Sequence, residues 1–301
     1  MDDLDFSVEI SKPVEIAAAD STQPTAQSAL YSPALALEFF RSAGTIEQKQ
    51  KHQPFFIEHE KSDSLFSKGA RMYLLLDGEV GLMLNDKFFG IVKPGEIFGE
   101  LAVIAGLPRS ASAMAMTDCN VITLDKKQFQ AALQKTPGFA LMLMSIMVQR
   151  LRKSIAILSS KGHSSSGASG DKGSAFDRKM LDKLSDELKG QVPTSFDAGK
   201  VIVSAGAAAA VMYIVLEGNV AISIGDQVVE QLGAGGIFGE MALLDNAPRT
   251  ATATAVTDCA LLSIGRNDFL KLVEAKPDFS AALLNSIAIR MQHLTVLASS
   301  A

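Results

Sequence analysis

The sequence contains no tryptophan and only two cysteines. Two thiols cannot build a multi-bridge framework. Neither Cys119 nor Cys259 stands in a Cys-x-x-Cys or Cys/His spacing, so no metal site is expected. Each lies in an apolar run at the same place of a repeat and reads as a small buried hydrophobe facing its own domain. An excess of basic charge is also absent. The formal net charge of −5 argues against a nucleic-acid partner. Long apolar runs are missing too: Leu141 to Val148, broken by Ser145, falls well short of the ~20 residues that span a bilayer. No membrane segment is expected. The opening Met1-Asp2-Asp3-Leu4-Asp5 lacks the basic and apolar regions of a secretory signal, which places the protein in the cytoplasm.

What is present is one stretch written twice. Ile97-Phe98-Gly99-Glu100-Leu101-Ala102 followed by Pro108-Arg109-Ser110-Ala111 returns as Ile237-Phe238-Gly239-Glu240-Met241-Ala242 with Pro248-Arg249-Thr250-Ala251. Gly99 and Gly239, Arg109 and Arg249, and Cys119 and Cys259 are all 140 positions apart. The same offset carries Met72-Tyr73 onto Met212-Tyr213 and Arg150 onto Arg290, so the copies are expected to run in constant register without a gap. Such a period is a whole domain, far above the 20 to 50 residues of solenoid repeats.

Residues 1–31 carry Pro, Ser, Thr, Gln and acids without periodicity and read as a disordered arm. A first domain is expected over 32–158, opened by a short helix with Ser32 at its N-cap and Pro33 in its first turn. Phe55-Phe56-Ile57, Met72 to Leu76, Val80 to Leu84, Ser112 to Met116 and Asn120 to Leu124 follow as short strands with frequent turns. In the second copy Val220, Ile222 and Ile224 alternate with Ala221 and Ser223, which predicts one buried face. The pattern predicts a mainly β chain with flanking α: two tandem β jelly rolls, each ending in amphipathic helices. Helical spacing runs from Phe139 to Leu158 and again from Phe279 to Leu297. Arg150, Arg152 and Lys153 on the first of these helices read as a solvated face. Residues 159–174 read as a flexible Ser/Gly linker, and 175–301 as the second domain, opened by a helix from Ala175-Phe176 to Leu188.

The repeated stretch suits a small anion attached to a sugar. Gly99 and Gly239 permit close backbone approach, and a short helix starting there would aim unpaired N–H groups at an anion. Arg109 and Arg249 supply permanently charged forks for phosphate oxygens. Ser110 or Thr250 adds a hydroxyl donor. A carboxylate beside a phosphate is repulsive unless something donates to it, and a ribose 2′-hydroxyl is such a donor. Glu100 with Arg109, and Glu240 with Arg249, therefore point to a ribose monophosphate over a bare anion.

These residues closely resemble the phosphate-binding cassette of cyclic nucleotide-binding domains: Phe-Gly-Glu-apolar-Ala, a short variable piece, then Pro-Arg and a small residue, between a jelly roll and helices. The resemblance covers about 140 residues of each half. It implies that Glu100 and Glu240 bind the ribose 2′-hydroxyl, that Arg109 and Arg249 hold the cyclic phosphate, and that the short helix donates backbone N–H groups. With Gly99, Leu101, Ala102 and Ser110, and with Gly239, Met241, Ala242 and Thr250, they form the expected ligand-binding set. The implied ligand is cAMP, with cGMP as the alternative, because Ser110 and Thr250 replace the Ala of eukaryotic cAMP-dependent kinase subunits. With no Trp to stack on the base, a lid would have to come from the C-terminal helix.

No helix-turn-helix, kinase Gly-rich loop or esterase motif is found. Residues 1–50 hold a single Arg and no Arg-Arg-x-Ser/Thr inhibitor sequence. The resemblance therefore implies a non-enzymatic receptor without its own output domain, in bacterial cAMP signalling, acting through an unidentified effector protein. Homo-oligomerisation is left open. The competing class is a ligand-independent scaffold with degenerate pockets, in which each Glu merely pairs with the Arg of its own cassette.

Overall fold

The computed structural model describes residues 31–61, 69–161, 175–188, 192–208 and 210–300. The arm expected at the N-terminus lies outside these except for Tyr31, and so does the linker beyond Lys161. The first half contains α1 (Pro33–Ala43), β1 (Thr45–Lys49), β2 (Pro54–Phe56), β3 (Arg71–Asp77), β4 (Val80–Leu84), β5 (Lys87–Val92), β6 (Ile97–Phe98), α2 (Glu100–Ala105), β7 (Ser112–Ala115), β8 (Cys119–Asp125), α3 (Lys126–Lys135) and α4 (Gly138–Lys161). The second half contains α5 (Arg178–Glu187), β9 (Thr194–Phe196), β10 (Val201–Val203), β11 (Val211–Glu217), β12 (Val220–Ile224), β13 (Gln227–Leu232), β14 (Ile237–Phe238), α6 (Glu240–Asp245), β15 (Thr252–Ala255), β16 (Cys259–Gly265), α7 (Arg266–Ala275) and α8 (Pro277–Ser300).

Local chemistry sets the helix ends as expected. Ser32 Oγ accepts from the Leu35 N–H at 3.3 Å, and Asp125 and Gln128 form a reciprocal capping box at the start of α3. Tyr31, assigned to the arm from sequence, instead donates its hydroxyl to the Gly95 carbonyl and belongs to the folded body. Ile57 falls just outside β2 and is exposed.

Each half is a sandwich of two four-stranded antiparallel sheets, β1-β8-β3-β6 over β2-β7-β4-β5, and β9-β16-β11-β14 over β10-β15-β12-β13. Alternation sends Tyr73, Leu75 and Phe98 from one sheet against Val80, Ala113 and Ala115 of the other. Val215 and Phe238 meet Val220, Ala253 and Ala255 in the second half. Cys119 and Cys259 are buried in these two cores with free thiols, as read from the sequence.

The repeat is not gapless. Cys119 pairs with Lys49 and Cys259 with Phe196, while Pro54 pairs with Met114 and Val201 with Thr254. The first two strands of each half are therefore 147 positions apart, and the offset of 140 begins only at β3 and β11. The first half holds seven more residues between β2 and β3, the number in 62–68, which lie outside the described residues.

A third apolar cluster joins the halves. It gathers Phe39, Phe129 and Phe139 of the first with Phe176, Phe269 and Phe279 of the second around α4 and α8. Phe39 stacks on Phe139 with ring centroids 3.5 Å apart. The two long helices pack on each other, and each also crosses to the opposite half: α8 packs against α2, and α4 against α6. Among the described residues no single helix is long and apolar enough to cross a membrane.

Candidate functional site

In each half the cassette begins where a two-residue strand ends in a left-handed glycine. Gly99 has φ of 73° and Gly239 of 85°, and each is the N-cap of a six-residue helix, α2 or α6. Only glycine takes this conformation without strain. Space demands it as well. A Cβ on Gly99 would sit 2.9 Å from the Phe56 ring and 3.0 Å from Arg109 Nη1, and one on Gly239 would collide with Arg249 Nη1. The glycine thus makes room for the arginine.

Arg109 and Arg249 are folded back into the protein. Arg109 donates from Nη1 to the Gly99 carbonyl and from Nη2 to the Arg71 carbonyl, both at 2.8 Å. Arg249 donates in the same way to Gly239 and Val211, at 2.8 and 2.6 Å. Both are more than nine-tenths buried, and among the described residues neither has a carboxylate partner. Among the described residues the buried Nε of Arg249 has no hydrogen-bond partner. Burial lowers the pKa of both guanidinium groups. A cation held out of water without a carboxylate beside it is costly, and such a group can accept an anion. Phe56 stabilises the first through its ring face, 4.0 Å from the Arg109 guanidinium carbon. The strand pairing puts Val203 at the matching place in the second half.

The glutamates do not pair with these arginines. Glu100, almost wholly buried, accepts from Arg150 Nη1 of α4 at 2.7 Å, and Arg150 also donates to the Ile97 carbonyl at 2.9 Å. Glu240 accepts from Arg290 Nη1 of α8 at 2.7 Å, and Arg290 donates to the Ile237 carbonyl. In the second half Arg290 Nε additionally reaches Glu230 of β13 at 2.9 Å. Burial pulls the Arg290 pKa down, but the Glu230 and Glu240 carboxylates outweigh it and raise it above the ordinary value.

Two sequence readings change here. A ribose hydroxyl is not the only donor open to the glutamate, because an arginine 50 positions downstream already supplies one. And Arg150 and Arg152 are not a solvated face. Arg152 crosses to the second half, where it chelates the Asp245 carboxylate through Nε and Nη2 and donates to the Pro248 carbonyl at 3.0 Å. At the mirrored place Gln292 of α8 donates to the Pro108 carbonyl at 3.2 Å.

A cleft of about 790 Å³, counting its open mouth, lies over the second cassette. Its walls bring together the expected Gly239, Glu240, Met241, Ala242, Arg249 and Thr250. They also include Glu230, Arg290 and His293 from the same half and Leu151, Arg152 and Ile155 from α4 of the other. In the first half Gly99, Glu100, Leu101 and Ala102 follow one another at the start of α2, and Arg109 returns to Gly99 from the loop that also carries Ser110. The pair Arg150 and Arg290 was legible as an identity between repeats inside an otherwise apolar helix. Nothing in the local sequence marks Glu230 or the contribution of α4. Among the described residues no three His, Cys, Asp or Glu side chains are grouped to hold a metal.

The chain is thus two tandem jelly-roll sandwiches, each carrying this cassette. The profile of the cyclic nucleotide-binding domain matches residues 56–136 and 193–276, and the chain belongs to that family. Among curated proteins it is similar to the cAMP-dependent protein kinase regulatory subunit of Eremothecium gossypii, 31% identical over 207 residues that cover 68% of this chain and 40% of the relative. The same subunit of Yarrowia lipolytica is 28% identical over 216 residues, 71% of this chain and 52% of the relative. The chain thus spans about half the length of these relatives or less. Among solved structures, the cAMP complex of the regulatory domain of Toxoplasma gondii PKA is 23% identical, covering 79% of this chain and 85% of that one, with a TM-score of 0.28. The regulatory subunit of a cAMP-independent protein kinase A from Trypanosoma brucei is 18% identical, covering 85% and 89%, with a TM-score of 0.31. Likenesses this distant bear on neither ligand nor partner.

Proposed function

We propose that the protein is a non-enzymatic receptor for a purine 3′,5′-cyclic monophosphate, with cAMP as its ligand, and that both cassettes bind. The observation that carries this reading is the pair of buried guanidinium groups, Arg109 and Arg249, that no carboxylate among the described residues neutralises. A cyclic phosphodiester brings the missing single negative charge, and Arg249 Nε offers it an unused donor. Glu100 and Glu240, each held through one oxygen by Arg150 or Arg290, keep the other for a ribose 2′-hydroxyl. Backbone N–H groups opening α2 and α6 complete the phosphate site. Among the described residues the Thr250 hydroxyl donates to Met241 Sδ, a weak acceptor 4.0 Å away, which a ligand acceptor could replace, and this keeps cGMP as the second candidate.

The receptor acts in the cytoplasm through a protein partner. The curated relatives are named as protein kinase regulatory subunits, which supports a protein kinase as the partner class. Those relatives are fungal, which lends no support to the bacterial setting expected from the sequence. Titration calorimetry of the full chain with cAMP and cGMP tests the reading. Two molecules of cAMP per chain are expected, and Arg109→Ala and Arg249→Ala should each weaken one site by about 2 to 5 kcal/mol, at least tenfold. A stoichiometry of zero for every cyclic mononucleotide would sink it.

A further inference from the structure

Beside the arginine that holds the cassette glutamate, the two halves differ at a part-buried place on the fifth strand of each. Glu230 on β13 pairs across the sheet with Ile222, and Gly90 on β5 pairs with Leu82. These positions are equivalent, yet only the second pocket has a carboxylate there. Its side chain is 13% exposed and shares Arg290 with Glu240. In the first pocket Arg150 forms an ion pair with Glu100. Counting only the cassette glutamate, the arginine that holds it and the phosphate-site arginine, Glu100, Arg150 and Arg109 sum to one positive charge. The same three groups of the second, Glu240, Arg290 and Arg249, sum to zero with Glu230, and the Arg152–Asp245 pair beside them is neutral. Glu60 also acts on Arg109 electrostatically, but it is exposed and screened by water.

Resting on the receptor reading above, we infer that Glu230 is an affinity-determining residue that makes the second pocket the weaker site for a cyclic phosphodiester, so that the first pocket fills first. The chemistry is a simple field effect. One additional part-buried negative charge opposes an incoming anion across low-dielectric walls, and it draws on the guanidinium that would otherwise neutralise Glu240 alone. Gly90 shows that the difference is transferable, because a Cβ there meets nothing within 4 Å.

Calorimetry with cAMP on the full chain tests this, with Arg249→Ala isolating the first pocket and Arg109→Ala the second. The first pocket should bind about tenfold more tightly, and Glu230→Gln should recover about that factor in the second. Gly90→Glu should weaken the first pocket by a similar factor. Because Glu230→Gln keeps the side chain's shape, it gives an answer even if Gly90→Glu disturbs the fold. Two bound cAMP with a Glu230→Gln affinity within about twofold of the parent overturns the inference and leaves the receptor standing. No binding of cAMP or cGMP at either pocket overturns both.

Discussion

Replacing Arg290 with methionine removes one cation from between two buried carboxylates. Glu240 is 2% exposed and Glu230 13%, and both lose their guanidinium partner together with the bond to the Ile237 carbonyl. Removing one member of a buried ion pair costs about 3 to 5 kcal/mol, because the remaining charge is left without compensation. Here two charges remain, which puts Arg290→Met at the upper end. Arg150→Met provides the internal comparison: that arginine is 27% exposed and serves one carboxylate, so about 1 to 3 kcal/mol is expected. Urea unfolding followed by circular dichroism near neutral pH measures both. A triple variant, Arg290→Met with Glu230→Leu and Glu240→Leu, should recover most of the loss, since apolar replacement of a whole buried ionic group is often neutral. The reasoning fails if Arg290→Met costs less than about 1 kcal/mol, or if the triple variant is no better than the single one.

Arg152→Ala should cost about 1 to 3 kcal/mol, because it breaks a two-point ion pair with Asp245 and a bond to the Pro248 carbonyl at once. Asp245→Ala should cost nearly as much, and the double variant little more; additive losses would show that the two side chains do not interact. Burial raises the Cys119 thiol and the Tyr31 and Tyr73 phenols above their ordinary values. Above about pH 8.5 the unfolded chain therefore ionises first and binds fewer protons than the native one, so stability falls as pH rises. A urea midpoint unchanged between about pH 7 and about pH 10 would contradict that.

The sequence displayed the cassette plainly because its chemistry is local: strand end, glycine, glutamate and arginine lie within a dozen residues of one another. Sheet alternation and the capped helix starts were legible for the same reason. The partners of the glutamates were not, since Arg150 and Arg290 act across 50 positions, and an arginine on a helix looks the same from sequence whether it meets water or a carboxylate. Arg152 was harder still, because its partner is 93 positions away in the other half. Identity at the dominant offset hid the shift to 147, since β1, β2, β9 and β10 are three to five residues long and share few side chains. Only their pairing with β7, β8, β15 and β16 reveals it.

The crosswise packing of α4 and α8 has a consequence for dilution. Two separate chains meeting through such helices would part as their concentration fell, and any message carried by the interface would depend on how much protein a cell makes. Here both partners belong to one polypeptide, so each half meets the other at a concentration that dilution does not change. The pairing is then indifferent to abundance. A cell holding few copies and one holding many present the same arrangement of the two halves.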